Sequence, residues 1–434
     1  MRGLVRKHAE RLAALLVLAM TCFAVANGAQ LGVPAWLAGA AAWGAAMLLW
    51  PALDRRQRRQ AWWLIGAGVA ALAWVGWHTG RVPWLGVLTN NTALLGMLAA
   101  VSFLQLIGLG ETGEAPRGRG ALWRTLAGVH VFGAVINLSA IFIMADRMGQ
   151  GRGPTLTQAS ALTRGFLAAA LWSPFFAATA VALTYAPGAT LAELAAAGLP
   201  LALCLLVIAG RDLLRNPATG AAFVGYPMHP AALWVPAVLA VMVIGGHWLW
   251  PAWSTLAIVS LAAPVMAAGV VVGRAGVVEG GAQLARHVMR RLPVMRGELS
   301  LFLAAAVFAT GLNALIESNG GALPMSRVGP VEAALVLAVM IGLCVAGIHA
   351  VISITMVAAW LAPLSPDPVL MGVVYVQCWA IGLAAGPMSG IHLALQGRYG
   401  LSSTALARAN WRYCLLAYLA AVVTLWVVGV WRGV

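Results

Sequence analysis

Apolar runs of about 20 residues recur from one end of the 434-residue chain to the other, with the charges confined to the segments between them. Each run is long enough to cross a hydrocarbon core roughly 30 Å thick. Only 9% of the residues are charged, whereas a soluble domain of this size carries about a quarter. The pattern excludes a soluble fold and predicts an all-α polytopic membrane protein. About 11 spans are expected, near 11–28, 34–52, 61–79, 84–109, 162–186, 191–210, 231–250, 252–273, 299–316, 369–396 and 413–431.

The charges give these spans a direction. The N-terminus and the segments 54–59 (DRRQRR), 111–124, 146–152, 211–215, 274–296 and 398–412 are basic. The intervening loops near 28–33, 79–83, 187–190, 317–328 and 363–368 hold few positive charges. With the N-terminus inside, every basic loop falls on the cytoplasmic face of the cell inner membrane. This topology accounts for the net charge of +15 without nucleic acid, since no basic patch is interleaved with exposed aromatics. Residues 1–27 have the look of a signal peptide, ending near Ala24 and Ala26. A second apolar run follows at once, so an uncleaved first helix is expected.

Two apolar segments break the alternation. Segment 122–146 lies between two basic loops and must enter from the cytoplasm and return there; 329–362 must enter and leave from the opposite face. About 25 residues cannot cross twice, so the first is expected to be a re-entrant hairpin; the second fits a hairpin or a pair of spans. Backbone that turns at such depth is tolerated only inside protein or beside a water-filled cavity.

The two odd segments also resemble each other. GVHVFGAVINLSAIFIMA (128–145) and GIHAVISITMVAAWLA (347–362) both begin Gly-aliphatic-His and carry Ala-Val-Ile before a polar cluster. In the first copy that cluster is Asn137 and Ser139, in the second Ser353 and Thr355, with one small gap in the match. The next span in each half contains a helix breaker: Ser173 and Pro174 in LWSPFF, then Gly386, Pro387 and Ser389 in AAGPMSGIH. Proline in mid-span removes a backbone donor and clashes with the preceding turn. Paired interruptions in corresponding positions of two halves point to a transporter site. Because the copies start from opposite faces, the repeats are expected to be of inverted topology. The expected division is scaffold helices in 1–83, repeat 1 in 84–215 with hairpin 122–146 and broken helix 162–186, connecting helices and a basic segment in 216–296, and repeat 2 in 297–434 with hairpin 329–362 and broken helix 369–396.

On these residues the chain resembles the ion transporter superfamily of secondary carriers, which includes sodium/dicarboxylate symporters, arsenite antiporters and the large membrane subunit of TRAP transporters. The likeness covers roughly 84–215 and 297–432. It implies that hairpin tips and unwound stretches jointly hold substrate and coupling cation: Asn137, Ser139, Ser173 and Pro174 in one half-site, Ser353, Thr355, Gly386, Pro387 and Ser389 in the other. The sequence departs from the symporters in lacking their Ser-Asn-Thr tip, and WSPFF stands where they have a glycine-rich motif. The resemblance implies a secondary active transporter for a small anionic solute with Na⁺ or H⁺ as coupling ion, acting as a homodimer. The alternatives are the membrane subunit of a multi-component carrier and a membrane protein with no transport role.

Titratable residues are few. His130 and His349 sit at matched repeat positions, with His392 nearby, and read either as neutral packing histidines or as proton carriers. Asp146 precedes Arg147, and Glu317, with Asn313, lies at a membrane boundary; each reads as an interfacial group or as part of a proton relay, Asp146 as an ion pair first. The cysteines are scattered, no HExxH or Walker A sequence occurs, and no cofactor or metal is expected, which argues against an enzyme and against an ATP-driven pump. The 19 tryptophans gather near span ends, as interfacial anchors do. Reporter fusions test the topology: positions 57 and 283 should report cytoplasm and position 188 the opposite face, and an external signal at 283 would reverse the assignment.

Overall fold

The structure, a computed structural model, describes residues 2–107, 114–136, 138–149, 152–227, 234–318 and 326–434. Along the chain come α1 (Arg2–Gly28), α2 (Ala35–Leu49), α3 (Arg55–Thr79), α4 (Trp84–Thr89) and α5 (Thr92–Val101). Next are α6 (Arg119–Ile136), α7 (Ser139–Met148), α8 (Leu156–Ala169), α9 (Ala177–Tyr185), α10 (Leu191–Leu213) and α11 (Pro217–Ala222). Then follow α12 (Trp234–Leu249), α13 (Thr255–Arg291) and α14 (Arg296–Ser318). The chain closes with α15 (Pro330–Val345), α16 (Ala350–Leu361), α17 (Pro368–Gln377), α18 (Leu383–Ala385), α19 (Gly390–Tyr399) and α20 (Ser403–Arg432).

The protein is thus an all-helical polytopic membrane protein. Among the described residues, seven helical stretches are long and apolar enough to cross a bilayer: Lys7–Gly28, Ala35–Ala52, Trp84–Leu106, Leu191–Leu213, Thr255–Ser318, Pro368–Tyr399 and Ser403–Arg432. The expected count was higher for identifiable reasons. α13 and α14 run on as one helical stretch through a kink at Gly276 and a 3₁₀ turn at Leu292–Met295, 156–185 is split into two short helices, and the expected spans 61–79 and 231–250 fall in the charged-ended α3 and the 16-residue α12.

The helices fall into two compact units. One contains α1–α5, most of α12, and α13 and α14; the other contains α6–α11, α15, most of α16, and α17–α20. A unit of packing is not a proposed repeat, since α4, α5 and α14 pack with the first helices rather than with the hairpins.

In the first unit, helices approach until backbones touch. A Cβ on Gly68 of α3 would lie 2.6 Å from the Val307 carbonyl oxygen of α14, and one on Gly311 would lie 2.3 Å from that of Gly68. Small residues give lipid-embedded helices the close contact that a hydrophobic drive cannot supply there. The span expected at 84–109 is interrupted at Asn90 and Asn91, the latter at φ +65°. Asparagine tolerates that left-handed conformation better than other side chains. Asn91 donates to the Phe302 carbonyl at 2.8 Å and Asn90 to Thr310 Oγ1 at 3.0 Å, so α14 holds the break. The basic segment 274–296 is mostly helical and packed: His287 Nε2 lies 3.0 Å from Ser102 Oγ, and Arg274 donates to the Ile107 carbonyl at 2.7 Å.

In the second unit the helix ends are stapled by charge. Asp367 caps α17 through the Leu370 N–H, and Glu193 accepts from the Thr190 N–H at the start of α10. Arg432, at the end of α20, reaches both carboxylates, at 3.0 Å and 3.1 Å. Replacing Gly68 with leucine should cost about 1–3 kcal/mol of stability by forcing α3 off α14. Val69→Ala, on the exposed side of the same helix, should stay within about 0.5 kcal/mol. Heat-induced loss of monodisperse protein in detergent reads the difference.

Candidate functional site

The second unit holds two helix–break–helix hairpins and two interrupted helices. The short limbs α7 and α16 rise only about 15 Å and 18 Å, well under the roughly 30 Å of a hydrocarbon core.

In the first half the helix ends at Ile136 and resumes at Ser139. Asn137 lies outside the described residues, and Ser139 is the first residue of α7. The following helix stops after Ala169 and restarts at Ala177, with Ser173 and Pro174 in the gap. Ser173 is fully buried; its hydroxyl donates to the Ala134 carbonyl on α6 and accepts from the Phe175 N–H at 3.2 Å. The Ser173 carbonyl in turn accepts from Thr179 Oγ1 at 2.6 Å. Ser173 therefore ties the interruption to the hairpin limb beside it.

His130 sits on the same limb. Its Nε2 accepts from the Trp172 indole N–H at 3.1 Å, which leaves Nδ1 to carry the proton toward the Gly165 carbonyl at 3.2 Å. Both ring nitrogens are thus committed to a neutral imidazole, because protonated Nε2 would face another donor. Of the two sequence readings, this geometry favours the packing histidine.

In the second half the helix stops at Val345, and Gly347 takes φ +97°. The Ile348 N–H bonds to the Leu343 carbonyl and the Gly347 N–H to that of Cys344, the pairing that ends a helix on a left-handed residue. That conformation suits glycine and few others. The tip therefore lies at 346–349, ahead of Ser353 and Thr355, which the sequence match had set opposite the Asn137 cluster. Both hydroxyl residues sit inside α16, fully buried, and neither Oγ nor Oγ1 finds a partner among the described residues. His349 stands at the entrance of α16, where its Nδ1 accepts the Val351 N–H at 3.2 Å and its ring meets Trp379 edge-on, 5.7 Å between centroids.

The second interrupted helix widens into a π-turn at Cys378–Gly382 and opens at Gly386, Pro387 and Ser389. Its Gly386 packs on the hairpin, where a Cβ would lie 2.7 Å from the Cys344 carbonyl oxygen. Ser389 caps α19 at the His392 N–H. His392 is fully buried: Nδ1 lies 3.0 Å from the freed Gly386 carbonyl, and Nε2 has no partner among the described residues. The two interrupted helices also touch, α8 against 378–385 and α9 against α17, the contacts of an antiparallel pair.

A buried ionic cluster that sequence reasoning missed supports this pair. Arg164 on α8, 1% exposed, binds Asp212 at 2.9 Å, Asn410 Oδ1 at 2.9 Å and the Ala409 carbonyl at 2.8 Å, and covers the Tyr413 ring. Asn410 donates onward to the Ala384 carbonyl just before the second interruption. The signal was an arginine inside an apolar run, since intramembrane charge is costly and rarely incidental. Asp146 pairs with Arg398 at 2.7 Å and accepts from Tyr399 at 2.6 Å, linking α7 to α19. Its ion pair thus reaches across the unit. Glu317 is exposed on α14 and belongs to the first unit, as does Asn313. Among the described residues no cluster of three or more metal-ligating side chains occurs.

No protein-family model matches the chain, and no curated protein does. Among solved structures it is similar to the YdaH transporter of Alcanivorax borkumensis, described as having an unusual topology, at 19% identity and a TM-score of 0.48 over 88% of this chain and 90% of that one.

The buried cluster yields a stability test. Arg164→Leu alone should cost about 3 kcal/mol, the low end for a broken buried pair, because Asp212 then keeps only Arg412 at 4.0 Å. Arg164→Leu combined with Asp212→Leu should recover part of that loss. Equal stability of the single and double variants would mean that the pair carries no buried charge.

Proposed function

We propose that the chain is a secondary active transporter that moves a small anionic solute across the cytoplasmic membrane, coupled to Na⁺ or H⁺. The observation that carries this reading is a set of buried polar atoms left over on the short limb of the second hairpin and beside the second interruption. Ser353 Oγ, Thr355 Oγ1 and His392 Nε2 have no partner among the described residues, although all three side chains are fully buried. A buried polar atom without a partner costs about 1–3 kcal/mol. Such a cost is sustained where a ligand or water completes the bonding.

The sign of the cargo follows from the helix ends. α7, α9, α16 and α19 all begin at interruptions, and each N-terminus carries a partial positive charge. Carbonyls freed on the other side of each gap suit a cation such as Na⁺. His349 and His392 supply the alternative proton route, whereas His130 holds Trp172 and the α6 limb in place. The antiparallel interrupted helices support an inverted repeat, and the resemblance to the ion transporter superfamily points the same way. Asn137, Ser139, Ser173, Pro174, Gly386, Pro387 and Ser389 complete the proposed site, the last five by shaping its backbone.

Purified protein in proteoliposomes should take up a dicarboxylate or another small anion under an imposed Na⁺ or pH gradient. His392→Gln and the paired Ser353→Ala, Thr355→Val should each lower the initial rate about tenfold, the equivalent of one hydrogen bond to the cargo. Leu419→Ala, on the exposed face of α20, should leave it unchanged. Gradient-independent leakage, or absent flux from monodisperse protein across the panel, would overturn the reading in favour of a subunit that needs a binding-protein partner.

A further inference from the structure

The second unit carries a groove of about 840 Å³ between α15 and α20, bordered at the second interruption by Ala385 and Pro387. Its walls are Ala338, Ile341 and Val345 on one side and Trp411, Leu415 and Tyr418 on the other. It opens outward, with Val345 52% and Trp411 61% exposed. Tyr418 closes one end by donating to the Ala334 carbonyl of α15 at 3.1 Å. At the opposite end stand Thr404 and Arg408.

The charge at that end is unusual for its neighbourhood. Of the arginines nearest in sequence, Arg398 on α19 binds Asp146 at 2.7 Å, and Arg412 on α20 lies 4.0 Å from Asp212. Arg408 makes no ion pair among the described residues, and it is the one that lines the groove. From Thr404 to Tyr418 the wall rises about 21 Å at 1.5 Å per residue. That is half of a bilayer about 40–45 Å thick with its headgroups. An apolar slot one leaflet deep, open to the side, with a cation at its polar end, complements an acyl chain joined to an anionic headgroup.

We propose that this groove binds one anionic phospholipid, its phosphate on Arg408 and Thr404 and an acyl chain along α15 and α20. Ser353, Thr355 and His392 do not line the groove, although Pro387 borders it, and lipid binding there does not depend on which solute the protein carries.

Native mass spectrometry of the full chain, released from mixed micelles containing phosphatidylglycerol or phosphatidylcholine, reads occupancy directly. Phosphatidylglycerol should remain as a resolved adduct. Arg408→Gln should reduce its occupancy about fivefold, the scale of one arginine beside an anionic lipid, while Arg408→Lys keeps most of it. Gly342 offers a second route, because nothing lies within 4 Å of a Cβ built there. Gly342→Phe projects a ring into the slot from this open position and should abolish the adduct even where the charge is intact. Arg59→Gln, on α3, should bind as the wild type does. Equal retention of both lipids, unchanged adducts in Arg408→Gln and Gly342→Phe, or a homodimer that seals this face and excludes lipid would each overturn the proposal.

Discussion

A helix that stops inside an apolar layer leaves carbonyls and amides that water cannot reach, and the second unit is organised around satisfying them. Four carbonyls beside the breaks have named donors. Ser173 serves the Ala134 carbonyl, Thr179 that of Ser173, Asn410 that of Ala384, and His392 that of Gly386. Asn410 is itself oriented by Arg164, which Asp212 neutralises. The chain of dependence runs from an ion pair on α8 and α10, through α20, to the gap in the second interrupted helix. Non-helical backbone survives at such depth only with support of this kind.

The two halves reach the same end by different chemistry. In the first a serine hydroxyl bridges interruption and hairpin; in the second an imidazole does the local work and an asparagine from another helix does the rest. The first unit offers a third solution, in which Asn90 and Asn91 hold a broken helix to α14. There the surrounding helices are already locked by the backbone contact at Gly68 and Gly311, so two side-chain bonds suffice.

This contrast explains what could be read from the sequence. The all-helical membrane architecture was legible because it follows from bulk hydropathy. The gaps at Ser173–Pro174 and Gly386–Ser389 fall on residues whose backbone chemistry announces them, a missing N–H or a missing side chain. The register of the second hairpin was not legible in the same way. Sequence matching weighed the hydroxyls at Ser353 and Thr355, whereas the turn is made by Gly347 and its two backbone bonds. Arg164 was passed over because its partners, Asp212 and Asn410, lie 48 and 246 positions away, and no local pattern connects them. The break at Asn91 was hidden for a similar reason, since the Phe302 carbonyl that rewards it comes from a distant helix.

The way the second hairpin turns has a consequence for how such a protein can diverge. Gly347 and two main-chain hydrogen bonds close the turn without the side chain of Ile348, while His349 Nδ1 accepts the Val351 N–H at the start of α16. Position 348 can be exchanged without altering the bend that displays it. What the hairpin shows to its surroundings and how the hairpin is shaped are therefore separately heritable. New preferences can arise at the tip one substitution at a time, on a scaffold that does not have to be refolded to accept them.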